Sequence, residues 1–139
     1  MAVTAKRLIT PAVILAGGSL GTFLRWWLES SFGAPAGQWP WVTFWINLSG
    51  SFVLAVLLDG LAATGEDVGW RRYLRLGAGT GVLGGYTTYS TFAVEAVELG
   101  RAGSAGLMLL YGAGSAVLGV ALAYAGGWAV RRLLRRGRR

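Results

Sequence analysis

The stretch GGYTTYSTF, residues 84–92, lies inside an uncharged run over residues 76–94. A run of that length crosses the hydrocarbon core of a bilayer when it is helical. Its middle is nevertheless a poor helix, because each of the clustered glycines costs about 1 kcal/mol relative to alanine. The threonines and the serine in the stretch carry hydroxyls that compete for backbone hydrogen bonds. The stretch therefore predicts a helix that breaks in the middle of the membrane.

A break at this depth leaves backbone carbonyl groups without helical partners. Such backbone occurs within a membrane only where it is buried in protein or lines a hydrated cavity. Broken membrane helices present the freed carbonyls to ions. An ion site near residues 84–92 is therefore expected, in addition to a membrane span.

The composition indicates an integral membrane protein. Of 139 residues, 54% are hydrophobic and 14% are charged, whereas soluble domains carry about 25% charged residues. The pattern predicts an all-α membrane protein in which residues 1–139 form a single transmembrane domain. Four helices are expected, at about residues 8–29, 41–59, 71–98 and 102–130, the third of them broken.

Cysteine and histidine are both absent. Their absence excludes a disulfide framework and a thiolate site, and it removes the commonest metal ligand and the usual general base. The sequence also contains no phosphate-binding loop, no metal-spaced cluster and no nucleophile–base pair. It therefore predicts that the protein is not an enzyme.

The net charge of +7 would indicate nucleic-acid binding in a soluble protein. Here the basic residues flank hydrophobic segments, as in the tail over residues 131–139, and this position favours a topology signal. A signal peptide competes for the first segment, because basic residues precede an apolar run. No small-residue cleavage site leads into a polar domain, however. At the end of the third segment, Glu95, Glu98 and Arg101 are expected to mark the exit to water.

The first segment carries a close-packing motif and one charge. Gly17 and Gly21 form a GxxxG pair, which lets a second backbone approach closely. Arg25 lies nearly one turn before the segment ends. It is either a snorkelling anchor or a positive charge at a vestibule that raises the local anion concentration.

Polar residues share helical faces in the second and fourth segments. Asn47 and Ser51 are four apart, as are Tyr111, Ser115 and Gly119 in succession. Asn47 either forms an interhelical hydrogen bond or presents an amide donor to an anion pathway. The hydroxyls of Tyr111 and Ser115 add donors to the face of the fourth helix.

Two aromatic residues, Tyr89 and Phe92, lie three apart after the break. By spacing alone they are lipid-facing or core aromatics. Alternatively, the positive edges of their rings line an anion path. Ring edges would hold a weakly solvated anion without trapping it.

Three segments resemble signatures of the CrcB/Fluc fluoride channel family. Residues 84–92 are similar to its GGFTTFSTF motif. GGSLGTFLR, residues 17–25, resembles its first-helix motif, and TFWINLSGSF, residues 43–52, resembles its second-helix motif around one asparagine. The three segments also follow the order and the spacing of the family's motifs. The resemblance covers nearly the whole chain and implies a fluoride channel of a bacterial or archaeal cell membrane.

The resemblance also implies a set of pathway residues. In the family two signature phenylalanines line the pores as a box, and Tyr89 and Phe92 occupy their places. Tyr89 departs from the usual phenylalanine, and Gly119 stands where some members carry a hydroxyl. The implied fluoride pathway comprises Asn47, Tyr89, Phe92, Thr91, Ser90, Tyr111, Ser115 and Arg25.

The family forms antiparallel dimers that enclose a central sodium ion. When the family motif is matched to this sequence residue by residue, the implied sodium ligands are the backbone oxygens of Gly84 and Thr87. Carbonyl ligation suits a hard cation, and the lack of nearby carboxylates favours a monovalent one. The resemblance implies that this Na⁺ is structural and is not transported.

Two other functions remain open from the residues. A small multidrug-type transporter would need an intramembrane carboxylate that exchanges a proton for a cationic substrate. Glu29 and Asp59 both lie near segment ends, so neither is well placed. A membrane assembly protein without transport would explain the small residues but not the break.

The charge distribution predicts one orientation in the membrane. Four spans place both termini and the loop over residues 61–70 on one side, with most of the basic residues. These are Lys6, Arg7, Arg71, Arg72, Arg75 and the arginines of the tail. The positive-inside rule then predicts termini inside. Because an antiparallel dimer needs both orientations, the chain is expected to pair with a related subunit of opposite bias. The alternative is a homodimer in which the bias is overridden.

Overall fold

The computed structural model describes the backbone of residues 2–136 and the side chains of residues 8–136. This part of the chain is helical with short connections and contains no strand, which confirms the all-α prediction. We number the helices α1 (Ala2–Phe32), α2 (Trp41–Thr64), α3 (residues 70–86), α4 (Ser90–Arg101) and α5 (Ala105–Arg136).

Three of these helices are long and apolar enough to cross a membrane. They are α1 from Leu8 to Phe32, α2, and α5 with its 32 residues. Helices α3 and α4 together occupy the third predicted segment. Neither is long enough alone, because the chain breaks between them.

The helices extend past the predicted ends. Helix α2 continues to Thr64 instead of ending near residue 59, and α5 continues to Arg136 instead of 130. The predictions ended where charge appears, but a charged residue that leaves the lipid does not end a helix. Helix α5 begins at Ala105, later than predicted, because the turn before it contains Gly103 at φ +78°.

Helix α3 has an unusual interior. It opens as an α-helix over Trp70–Leu74, continues as a π-helix over Arg75–Leu83 and closes as an α-helix over Gly84–Tyr86. Wider π geometry is rare and often marks functional sites. The glycine-rich sequence therefore alters the helix before it breaks it.

The predicted break is confirmed at residues 87–89. Thr87 adopts an extended conformation with φ −75° and ψ 155°, and α4 restarts at Ser90. The connection is short, so its backbone groups need partners from neighbouring helices. Helix α2 supplies them for Thr88.

Helices α1 and α3 pack backbone to backbone. A Cβ atom at Gly17 would overlap the carbonyl oxygen of Gly77, and one at Gly21 would overlap that of Val82. The close approach predicted for this glycine pair is confirmed, with α3 as the partner.

A methyl group at Gly21 should therefore destabilise the protein. We expect Gly21→Ala to lower the free energy of unfolding by about 1–3 kcal/mol through overpacking. Gly18→Ala is the matched control, because a Cβ there meets no atom within 4 Å. It should be neutral or gain up to about 1 kcal/mol from helix propensity. Size-exclusion profiles after stepwise heating measure both, and equal melting temperatures would contradict this account of the packing.

The buried core lies between α2, α4 and α5. Phe44, Leu48, Leu99 and Tyr111 form it, and Tyr111 is fully buried. Most large apolar side chains elsewhere are exposed, as at the 70% exposed Leu15. Extensive exposed apolar surface marks membrane or protein contact. Much of the apolar surface of the single chain is therefore available for contact with lipid or with another protein chain.

Candidate functional site

Asn47 of α2 holds the break in place. Its Nδ2 donates to the carbonyl oxygen of Thr88 at 2.9 Å, and the Thr88 N–H donates to its Oδ1 at 2.9 Å. One side-chain amide thus satisfies both backbone groups of a residue outside any helix. The interhelical hydrogen bond, one of the two predicted roles of Asn47, is present. The second Nδ2 hydrogen has no partner in the part of the chain that the structure describes.

Hydroxyl groups complete the break. Thr88 Oγ1 accepts the Thr91 N–H at 3.2 Å and donates to Thr91 Oγ1 at 3.1 Å. Ser90 Oγ lies 3.3 Å from the same oxygen. Helix starts leave N–H groups unpaired, so Thr88 satisfies one for α4. The structure therefore places Ser90 and Thr91 within the hydrogen bonding of the break.

Several carbonyl oxygens at the break are occupied. That of Leu83 accepts both the N–H of Thr87 at 3.0 Å and its hydroxyl at 2.9 Å. That of Thr88 is taken by the Asn47 amide. The carbonyl oxygen of Gly85 accepts a hydrogen bond from Nε of Arg25 in α1 at 3.2 Å. These oxygens are therefore already committed to donors.

Three carbonyl oxygens at the break remain without a hydrogen bond from residues 2–136: those of Gly84, Tyr86 and Thr87. Two of them belong to the residues expected to bind a cation. No group of three or more acidic, histidine or cysteine residues that could hold a metal ion occurs in the described region. A cation here would be bound by neutral backbone oxygens.

An open cavity of about 450 Å³ adjoins the break. Helices α2, α3, α4 and α5 and the break all contribute to its wall. Its lining includes the predicted pathway residues Asn47, Tyr89, Phe92 and Ser115, together with Gly84, Thr87 and Ser51. The hydroxyl of Ser115 is buried and has no hydrogen-bond partner among the described residues. The lining therefore offers one hydroxyl donor, from Ser115, and one amide donor, from Asn47, to a bound group.

Aromatic rings continue from this cavity into the core. The ring centroids of Tyr89 and Phe92 are 6.1 Å apart at 39°, and those of Phe92 and Tyr111 are 5.0 Å apart at 44°. Tyr89 is 80% exposed, whereas Tyr111 is fully buried. The three rings thus form a row from the surface to the core. Tilted pairs of this kind present ring edges as well as faces.

The buried end of this row carries a carboxylate. Tyr111 donates its hydroxyl to Glu95 Oε2 at 2.7 Å, and Thr43 donates to Oε1 at 2.7 Å. Glu95 was expected to lie in water, but the structure places it half-buried between these two hydroxyls. Tyr111 therefore does not line the cavity, and its hydroxyl is committed to Glu95.

Sequence reasoning missed Thr43 and Glu95. Thr43 lies four residues before Asn47, and Glu95 lies three after Phe92. Residues at these spacings share a helical face. That spacing was the available signal, and it would have directed both side chains toward the same interior.

Arg25 lies beside the break but outside the cavity. Its Nε donates to the Gly85 carbonyl at 3.2 Å, and its Nη1 lies 3.3 Å from Glu29 Oε2. The positive charge is thus close to residues 84–92 and is partly balanced by Glu29. Asp59, the other carboxylate near a segment end, pairs with Arg131.

Comparison with known proteins identifies the family. A family model described as CrcB-like protein, Camphor Resistance (CrcB), matches residues 12–127. The chain is 45% identical over 114 residues to "Fluoride-specific ion channel FluC 2" of Leifsonia xyli subsp. xyli, covering 82% of this chain and 78% of that protein. It is 36% identical over 119 residues to "Fluoride-specific ion channel FluC" of Rhodopseudomonas palustris, covering 85% and 94%.

A shorter match agrees with these. "Fluoride-specific ion channel FluC 1" of Cutibacterium acnes is 46% identical over 85 residues, which are 61% of this chain and 59% of that protein. The family match spans most of the chain and includes all three motifs quoted from its sequence. The chain therefore belongs to the CrcB-like family.

Proposed function

We propose that this protein is a fluoride-selective channel that lowers cytoplasmic fluoride by passive efflux. The relatives are named as ion channels, so the chain is assigned to a channel and not to an enzyme. It is a multi-pass protein of the cell membrane. The observation that carries the proposal is the cavity at the break, whose lining contains polar groups but no charged side chain among the described residues.

Such a lining suits fluoride. The ion is small and strongly hydrated, so a pore must replace its water with donors. The free Nδ2 hydrogen of Asn47, the unpaired hydroxyl of Ser115 and the ring edges near Phe92 supply them. Binding must also be weak enough for release. Neutral donors satisfy that condition better than a fixed cation would.

Growth on fluoride tests the efflux role. Bacteria that lack their own fluoride exporters should grow on inhibitory fluoride when they express this chain. They should fail when they express an equal membrane amount of Phe92→Ile. Equal growth with both, or no rescue by a well-expressed wild-type chain, would contradict the proposal.

One observation supports a second candidate function, that of a proton-coupled transporter. Glu95 is a half-buried carboxylate within the third segment, and such groups relay protons in transporters. The two functions differ in driving force. In liposomes with equal fluoride on both sides, an imposed pH gradient should concentrate a cationic substrate only if the transporter is correct.

A structural Na⁺ at the break is part of the proposal. The oxygens of Gly84 and Thr87, which have no hydrogen bond from residues 2–136, fit it, since each would cost several kcal/mol if a second subunit buried it without a partner. Two such oxygens are too few for one ion, so a second subunit must add its own pair. A Cβ at Gly84 meets no atom within 4 Å, which leaves room for that subunit.

Sodium removal should therefore weaken the assembly. A ligand that binds only the folded state stabilises it by RT ln(1 + [L]/Kd), about 2.7 kcal/mol at a hundredfold excess over Kd. We expect the melting temperature of the purified dimer to rise with NaCl and to stay constant with N-methylglucamine chloride of equal ionic strength. Identical curves in both salts would exclude a sodium site.

The second subunit is proposed to lie antiparallel. With most basic residues on the side of the termini, this chain should insert mainly one way and pair with a related chain of opposite bias. Cysteines at Thr4 and Ala36 test this, because the native chain has none. In intact cells an impermeant thiol reagent should label Ala36→Cys and spare Thr4→Cys. Comparable labelling at both positions would show dual insertion and favour a homodimer.

A further inference from the structure

The end of α5 carries a concentrated positive surface. Arg132, Arg135 and Arg136 are all exposed there, and we call them the terminal arginine surface. At 100° per residue they lie on the same face as Trp128. The spacing from residue 128 to residue 136, which is about two helical turns, thus aligns one aromatic ring with three guanidinium groups.

Two other arginines on this side already form ion pairs. Arg131 pairs with Asp59, and Arg75 pairs with Asp67 at 2.7 Å. The hydrogen bond to Arg75 lowers the pKa of the Asp67 carboxyl. By contrast, no carboxylate within residues 2–136 pairs with a member of the terminal arginine surface. This surface is therefore a cluster of uncompensated charge.

The length of α5 places the cluster at headgroup level. Its 32 residues span about 48 Å at 1.5 Å per residue, whereas the hydrocarbon core is about 30 Å thick. Trp128 is 48% exposed and has the character of an interfacial tryptophan. The arginines that follow it in sequence must then emerge among the lipid headgroups.

The geometry of Arg132 leaves its donors free. Its guanidinium carbon lies 4.9 Å from the ring centroid of Trp128. A guanidinium held over a ring by a cation–π contact keeps its in-plane N–H groups available. Those groups match the oxygens of a phosphate in bidentate fashion.

The opposite face of this extension is apolar. Leu133 and Leu134 are 67% and 45% exposed. Leucines beside arginines at the end of a spanning helix can contact lipid at the interface while the guanidinium groups contact headgroups. This arrangement favours a lipid over a soluble polyanion.

We propose that the terminal arginine surface binds the phosphate group of an anionic phospholipid. The site is independent of the fluoride pathway, which lies at the break in α3 and α4. Each basic residue near a membrane surface adds to the attraction for anionic lipid. The chain would therefore hold such lipids around the end of α5 against exchange with neutral ones.

Native mass spectrometry of purified, delipidated protein tests this. Phosphatidylglycerol should bind at concentrations at least about tenfold lower than phosphatidylcholine does. Each arginine adds roughly 1 kcal/mol to the attraction for an anionic lipid, so three arginines correspond to more than one power of ten in affinity. The variant R132Q/R135Q/R136Q should lose that preference, and R132Q alone should lose part of it. R101Q, which removes an exposed arginine from the last turn of α4, should keep it.

The outcomes separate the possible ligands. An unchanged preference in the triple variant, with normal elution and fluoride flux, would overturn the proposal. Complete displacement of phosphatidylglycerol by millimolar inorganic phosphate would instead identify a site for free phosphate. Tight binding of a short RNA, without any preference between the two lipids, would identify a nucleic-acid surface. Either of these results would also overturn it.

Discussion

Replacing Asn47 with leucine is expected to lower fluoride flux by about 100-fold, since roughly 3 kcal/mol of lost stabilisation corresponds to two powers of ten. The substitution preserves bulk but deletes both hydrogen bonds to Thr88. Each unpaired buried backbone group costs about 1–3 kcal/mol. The break should therefore lose its fixed shape as well as a donor from the cavity wall.

Flux from liposomes and thermal stability should fall together in this variant. Ser51→Ala is the matched control, one turn along the same face. The Ser51 hydroxyl also lines the cavity, but it donates to the carbonyl of Asn47 in its own helix and makes no hydrogen bond with Thr88. Its flux should remain within about threefold of wild type, as expected when a hydrogen bond worth about 0.5–1.5 kcal/mol is lost within α2. Wild-type flux in Asn47→Leu would show that the break does not depend on this amide.

Phe92→Ile is expected to abolish most flux while the protein stays folded. The substitution removes the central ring of the row formed with Tyr89 and Tyr111. Aromatic pairs contribute about 0.5–1.5 kcal/mol beyond their area, so the loss of stability should be modest. Flux should fall much further, because isoleucine presents no ring edge between Tyr89 and the core.

Two variants calibrate that result. Phe52→Ile removes a ring outside the cavity and should leave flux near wild type. Tyr89→Phe restores the aromatic residue of the resembled family signature and should preserve flux. Equal flux in Phe92→Ile and Phe52→Ile would mean that Phe92 only packs against its neighbours.

The features that were predictable are those encoded locally. The break follows from glycines and hydroxyl residues in residues 84–92, and the close packing of α1 follows from Gly17 and Gly21. The π-helical interior of α3 did not follow, because glycine content signals weak α-helix propensity without specifying which geometry replaces it. Helix ends were also placed too early, since Arg131 leaves the lipid while the helix continues.

The contacts between helices were not predictable in the same way. The pairing of Glu95 with Tyr111 and Thr43 depends on how α2, α4 and α5 meet in space. Likewise, the carbonyls of Gly84 and Thr87 are free only because neighbouring groups take other partners, as Thr88 does with Asn47. The family motif implies these two oxygens, and the hydrogen bonds around the break leave both of them free, together with the oxygen of Tyr86.

Fluoride and chloride efflux from the same preparation of proteoliposomes tests the central claim most directly. Purified wild-type protein, reconstituted with either salt inside, should release fluoride rapidly under its own gradient once charge is compensated by an ionophore. Chloride should be retained over the same interval. Equal release of both anions, or no fluoride release from folded protein, would contradict the account.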